Sequence, residues 1–290
     1  MSGSICTSDS DEDDESYNES LQKLRAAIAA KPRDYASHVS YIHLLRQAGD
    51  LDALRAARVS FRSKFLCPEV LWLEWLEDEN RLATNESVNK ELLRLHETST
   101  EDYMSVKIWL QRLRFERELL RNGSITHERF QATCAECLDV AGSSLPDASE
   151  LWSVVREAYE DLDENRSRVL DLFVRQLGIP LAGSEGVLET FESWVKRGDQ
   201  VEEKCIREAR RLHSKAIRLR YAREEREAQL KALSTERDDQ EALEAAWLEY
   251  VVFEEKEFET AYIDSTADRH AYQRMVCVYE RAIAEVPFKA

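Results

Sequence analysis

Cys134-Ala135-Glu136-Cys137 has the residue types and spacing that could hold a metal or exchange a disulfide, because two thiolates three residues apart can share one zinc ion or form a redox pair. A structural zinc site needs four ligands; the chain has no second C-x-x-C, and His127 is the only histidine near the first. Both cysteines also fall on the apolar side of a helical pattern, so they read as small buried hydrophobes. The six histidines do not cluster in sequence and none sits in an H-E-x-x-H spacing. A phosphate-cradling G-x-x-x-x-G-K-[ST] loop, G-x-G-x-x-G and a serine nucleophile elbow are absent. Among 57 Asp and Glu residues, two that lie near each other mean nothing without a cleft. No catalytic residue, cofactor or metal is expected.

A second pattern is electrostatic. Lys204, Arg207, Arg211, Lys215 and Arg218 step by three or four residues, which at about 100° per residue places them on one helical arc roughly 80° wide. Val201, Cys205, Ala209, Leu212, Ala216 and Leu219 share a different face of the same segment, and Gln200 to Leu233 reads as one long helix. The basic arc has two readings. It could contact an RNA backbone or an acidic partner, or it could be a solvated face in which Glu203 and Glu208 pair with Arg207 and Lys204 one turn away.

Composition narrows what must position these groups. Eight glycines and five prolines in 290 residues leave little room for β-turns or a loop-built site, so the chain reads as all-α. With 40 Lys and Arg against 57 Asp and Glu, the net charge of −17 argues against a protein whose main task is gripping nucleic-acid phosphates. No run of apolar residues reaches membrane-spanning length and no signal peptide opens the chain, so a soluble protein without membrane contact is expected. Six scattered cysteines fit free thiols in a reducing compartment. Residues 7–20 carry seven acids and no base, and 1–20 reads as a disordered acidic tail. Ser8, Ser10 and Ser16 each have an acid three residues on, which suits an acidophilic kinase or simply a solubilising tail.

From residue 21 to 290 the main signal is self-similarity. Leu71-Trp72-Leu73-Glu74-Trp75 returns as Ile108-Trp109-Leu110, Leu151-Trp152 and Ala246-Trp247-Leu248-Glu249-Tyr250. Each is followed by a second helical pattern, such as Leu172 to Leu177 before Pro180 or Val278 to Ile283 before Pro287. Trp72 to Trp109 is 37 residues and Trp109 to Trp152 is 43, spacings of a helix-turn-helix unit stacked on its neighbours. Glu79, Glu116 and Glu254 fall seven residues after a tryptophan, two turns along the same face. A recurring carboxylate reads as structural, since a single active site would need it once. The fourth unit departs from the pattern with Tyr159-Glu160 one residue late. The fifth puts Leu188 in the tryptophan position and Trp194 later, and the first offers His38.

The W-x-x-aromatic first helix, the pairs Phe115-Glu116 and Phe253-Glu254, and the Tyr279 to Ala282 second helix resemble half-a-tetratricopeptide (HAT) repeats. Tyr35 to Glu79, together with Arg175-Gln176-Leu177 and Ile179-Pro180-Leu181, is similar to the start of the HAT array in the family of squamous cell carcinoma antigens recognised by T cells. The resemblance implies a right-handed α-α superhelix, a HAT/TPR-like solenoid of about five to six helix pairs. In it Trp72, Trp75, Trp109, Trp152, Trp194 and Trp247 would anchor the repeats with Glu79, Glu116 and Glu254. It further implies a nuclear, non-catalytic scaffold for pre-mRNA splicing and spliceosomal snRNP recycling, with snRNP proteins and a ubiquitin-specific protease as partners. A HAT scaffold of mRNA 3′-end or ribosomal RNA processing would share these residues. The family also carries RNA-recognition domains, and no aromatic-glycine motif of that kind occurs in these 290 residues, so RNA contact is expected to be indirect.

Overall fold

Thirteen α-helices and no strand make up the described part of a computed structural model, which covers residues 8–82, 86–161, 166–198, 201–236, 239–263 and 269–286. None of the helices among these residues is long and apolar enough to cross a membrane. The chain divides into two compact units, one ending at Leu71 and one beginning at Trp72.

The first unit holds α1 (Ser8–Ala30), α2 (Tyr35–Ala48) and α3 (Leu51–Arg62). α1 runs through the stretch whose acidic composition marks it as a tail, whereas residues 1–7 lie outside the described part. Gly49 closes α2 with φ +71°, a left-handed conformation that costs glycine nothing, and the Asp50 side chain then caps α3 by accepting from the Ala53 N–H at 3.2 Å. Ile42, Leu45, Leu54 and Phe61 fill the space between α2 and α3. His38 is buried there, its ring edge-on to Phe61 and Phe65 and its Nε2 3.1 Å from the Pro32 carbonyl.

α4 (Glu69–Arg81) opens the second unit; it is followed by α5 (Glu86–Asp102), α6 (Val106–Arg121), α7 (His127–Val140), α8 (Ser149–Asp161) and α9 (Arg166–Leu177). α10 (Ser184–Lys196), α11 (Glu203–Glu236), α12 (Gln240–Ile263) and α13 (Arg269–Glu285) complete it. The first helix α6 packs on the first helix α8, and the second helix α9 on the second helix α11. That two-layer order is the arrangement of an α-α repeat array. The turns inside pairs use the expected signals: Gly123 at φ +71° ends α6, and Thr126 caps α7 through the Arg129 N–H at 3.3 Å.

Among the described residues three apolar clusters lie between the layers. The largest joins Trp109 and Leu113 of α6, Phe130 and Cys134 of α7, and Leu151 and Trp152 of α8. The next gathers Phe173, Phe191 and Trp194 around Ala209, and the last gathers Leu230, Trp247, Tyr250 and Val278.

α11 begins and ends three residues later than the sequence pattern suggests, and Gln200 is outside the described residues. At 34 residues it is about 50 Å long. No glycine or proline interrupts the chain between Gly198 and Pro287, so nothing forces an earlier stop. Ala209, Ala216, Arg223 and Leu230 are all buried and recur every seven residues, a spacing that holds one face against its neighbours with a drift of only about 20° per step. The two alanines allow close packing on α9 and α10, while the second half receives α12 and α13. α13 in turn reaches back to α7, where the Cys277 thiol donates to the Val140 carbonyl at 3.2 Å.

Trp109 is almost wholly enclosed by three helices, and its removal leaves a cavity that no neighbour can fill without moving backbone. Trp109→Ala is expected to lose about 3–5 kcal/mol of stability in urea denaturation. An unchanged midpoint and slope would show that the ring does not hold the pair together.

Candidate functional site

The recurring carboxylates occupy two kinds of environment. Glu116 is fully buried and accepts from Arg112 Nε at 2.9 Å and from the Thr133 hydroxyl of α7 at 2.8 Å. Arg112 also donates to the Thr100 hydroxyl of α5 at 2.7 Å and lies 5.0 Å over the Trp109 ring, so one guanidinium ties three helices. Glu254 is equally buried and receives both forks of Arg223, at 2.6 and 2.9 Å, across the α11–α12 interface. Arg274 of α13 approaches the same carboxylate at 3.9 Å. Charge-assisted, two-pronged bonds of this sort compensate much of the desolvation that burial imposes on both ions. Glu79, the third member of the series, is only half-buried.

The one-residue shift in the fourth unit has a visible effect. Glu160 is exposed, and the buried Arg156 instead donates to the Gln176 side chain and to the Ser153 hydroxyl at 3.1 Å, with the Phe173 ring 4.5 Å beneath it. An amide is a neutral acceptor. Burial therefore pushes the Arg156 guanidinium down to about 10, against the smaller opposing pull of Glu160 and Glu157.

The indoles share a further feature that the sequence pattern does not announce. Trp152 lies under Arg175 at 5.4 Å, Trp194 under Arg166 at 3.9 Å and Trp247 under Arg281 at 5.1 Å, each arginine coming from an adjacent second helix. The cation is drawn to the negative face of the ring, and the arginine stem covers its edge. Trp152 also donates its Nε1–H to the Gly142 carbonyl at 2.8 Å. Trp72 and Trp75 stack at 5.2 Å, and the Trp72 Nε1–H reaches Asp102 at 3.2 Å. In the fifth unit Phe191 is fully buried and Leu188 partly buried.

Cys134 and Cys137 lie inside the largest cluster as free thiols, and burial pushes Cys134 up to about 12 and Cys137 well above its ordinary value. Both are protonated at physiological pH, which leaves them weak nucleophiles. Among the described residues no group of three or more His, Cys, Asp and Glu side chains is placed to hold a metal ion.

Two open clefts run between successive first helices. One of about 400 Å³, between α4 and α6, is lined by Leu76, Glu77, Gln111, Arg114 and Phe115, with His96 of α5 at its base. The other, of about 630 Å³, lies between α8 and α10 and is lined by Glu150, Glu157, Phe173, Thr190 and Trp194. Both mix aromatic floors with charged rims, as extended peptide contacts do. The five basic residues occupy the outer face of α11: Lys204, Arg207, Arg211 and Arg218 are exposed and Lys215 is partly so. Glu208 does not reach Lys204. It binds Arg211 with both oxygens, at 2.7 and 2.8 Å.

The family model described as PRP39 N-terminal HAT repeat matches residues 22–193. The chain belongs to this HAT-repeat family. Its members fold as helical solenoids, in agreement with the paired helices of the second unit. The spliceosome associated factor 3, U4/U6 recycling protein of Mus musculus is 30% identical over 177 residues, which is 60% of this chain and 18% of that protein. The Homo sapiens protein of the same name gives the same figures, and that of Danio rerio is 27% identical over 198 residues, 61% of this chain and 21% of its own. The chain thus spans about a fifth of the length of the curated relatives it matches. Trp72, Trp109 and Trp152 with Glu79 and Glu116 fall inside the HAT match, while Trp247, Glu254 and the α11 stripe lie beyond it.

Buried arginines are what the sequence reading misses. A signal exists in hindsight: Arg112 stands one turn after Trp109, and Arg281 sits inside the Tyr279-Glu280-Arg281-Ala282 pattern. Truncating Glu254 to alanine would strand Arg223 without its bidentate acceptor and is expected to cost about 3–5 kcal/mol. The double replacement Arg223→Met with Glu254→Leu should lose clearly less than the sum of the single changes, and strict additivity would contradict the pairing.

His96, stacked on Phe115 at 4.8 Å, is pushed down to about 3 by burial and secondarily by the Arg112 cation. The folded chain keeps this ring neutral, whereas the unfolded chain takes up a proton near pH 6.5. Stability therefore falls as pH drops below that value, by about 2 kcal/mol from this group at pH 5. His96→Phe should show a correspondingly smaller loss between pH 7 and pH 5 in thermal melts, and equal losses in the two proteins would refute the assignment.

Proposed function

We propose that this protein is a non-catalytic scaffold of pre-mRNA splicing, acting in spliceosomal snRNP assembly and recycling through protein–protein contacts in the nucleus. The observation that carries the reading is membership of the HAT-repeat family, joined to the likeness to spliceosome associated factor 3, U4/U6 recycling protein. The surface is consistent with it. The clefts between α4 and α6 and between α8 and α10 are shallow, long and mixed in character, which suits a partner that spreads its contacts over several repeats. Spliceosomal snRNP proteins are the first partner class and a ubiquitin-specific protease the second. RNA would then be held chiefly through those proteins.

Affinity capture with the full chain from nuclear extract, with and without RNase, tests the reading. Splicing snRNP proteins should be enriched and should remain after RNase treatment, and charge reversal at Arg114 together with Glu150, the pair that bridges α6 and α8 at 2.7 Å beside the clefts, should reduce their yield. Capture of no splicing component, or of components that all disappear with RNase, would overturn it.

A further inference from the structure

We propose that the outer face of the first half of α11 binds single-stranded RNA directly, with Lys204, Arg207, Lys215 and Arg218 on the phosphates and Tyr221 stacking on a base. This goes beyond the scaffolding reading, which leaves RNA to partner proteins.

The argument starts from where the neighbouring carboxylates go. Between Glu203 and Arg220 the chain carries seven Lys and Arg and two acids, a locally positive stretch in a protein of net charge −17. Three of the acids within reach are committed elsewhere, and Glu203 stands one turn before Arg207. Glu192 of α10 takes Arg210 at 2.8 Å, Glu185 of α10 takes Arg220 at 2.8 Å, and Glu208 takes Arg211. Arg210 and Arg220 lie off the stripe, towards α10. Among the described residues Lys204, Arg207, Lys215 and Arg218 have no ion-pair partner, although the exposed Lys23, Arg81, Arg114 and Arg121 elsewhere in the chain have one.

These four cations lie along about 21 Å of a straight helix that is packed on its other side by Ala209 and Ala216. The positions are therefore fixed by the core while the side chains stay in water. One turn beyond Arg218, Tyr221, the sole Phe, Tyr or Trp in the sequence of this helix, is 62% exposed, with Arg220 5.5 Å over one side of its ring. A row of cations ending in an exposed aromatic face is the combination by which single strands are held, phosphates on the charges and a base on the ring. An acidic peptide would use the charges and leave Tyr221 idle, and this decides between the two polyanions.

The test is fluorescence anisotropy with the full chain and a labelled oligouridylate of roughly 15 nucleotides, a length that covers the stripe. Four released counterions give a slope of log affinity against log salt of about −3, so binding should weaken about 20-fold between about 50 and about 150 mM salt. Arg207→Gln, Lys215→Gln and Arg218→Gln combined should make that slope shallower by about 2 and shift the thermal melt little, because Arg207 and Arg218 are exposed and Lys215 is partly so. Tyr221→Ala should weaken binding about fivefold or more with the slope intact. The proposal is overturned if the wild-type chain does not bind at the lower salt, or if the triple variant binds as wild type. It is also overturned if an oligoglutamate of equal charge competes as well as the RNA, or if Tyr221→Ala changes nothing.

Discussion

A guanidinium buried between helices must be met on several sides at once, and much of the second unit follows from how that requirement is satisfied. Arg112 needs an acceptor on its own helix, one on α5 and a ring beneath it, and it finds Glu116, Thr100 and Trp109. Arg223 needs two oxygens from the next helix and finds Glu254. These contacts are directional where apolar packing is not, so they set the register of one helix against the next. The indoles provide the apolar area, and the arginines fix which surface of each helix meets it. Where the carboxylate is displaced, as at Arg156, an amide takes its place and the interface survives with a less favoured cation.

The same constraint separates interior from surface in a way that bears on function. The arginines facing inward or across to a neighbouring helix are tied up with carboxylates and rings, and they hold the array together. Arg207 and Arg218, facing outward on α11, have no such partner among the described residues, although they belong to the same continuous helix. A repeat protein built like this has a rigid interior and a surface free to vary. Its clefts between first helices and its basic outer face are separate surfaces, and two different partners could use them together.

The all-α class, the unit spacing and the positions of the tryptophans were legible because each rests on a local signal: few breakers, a helical apolar period and a bulky aromatic at a repeated place. Cys134 and Cys137 could be placed inside for the same reason. The buried arginines were not legible, because Arg112 inside a helix looks the same as Arg114 two residues on, and only the three-dimensional neighbours separate a cation held by Glu116 from one on the surface facing Glu150. The expected pairing of Glu208 with Lys204 failed for a related reason: both directions along the helix are within reach, and the forked Arg211 offers two hydrogen bonds where a lysine offers a point charge.

The central claim is that indoles and buried arginine pairs couple each helix pair to the next, so that the second unit behaves as a chain of nearest neighbours. Native-state hydrogen exchange of the full chain, compared with its Trp152→Ala variant, tests this most directly. The account predicts lost protection in α6, α7, α8 and α9, fading towards α12 and α13. Loss confined to α8, or an equal loss in every helix, would contradict it.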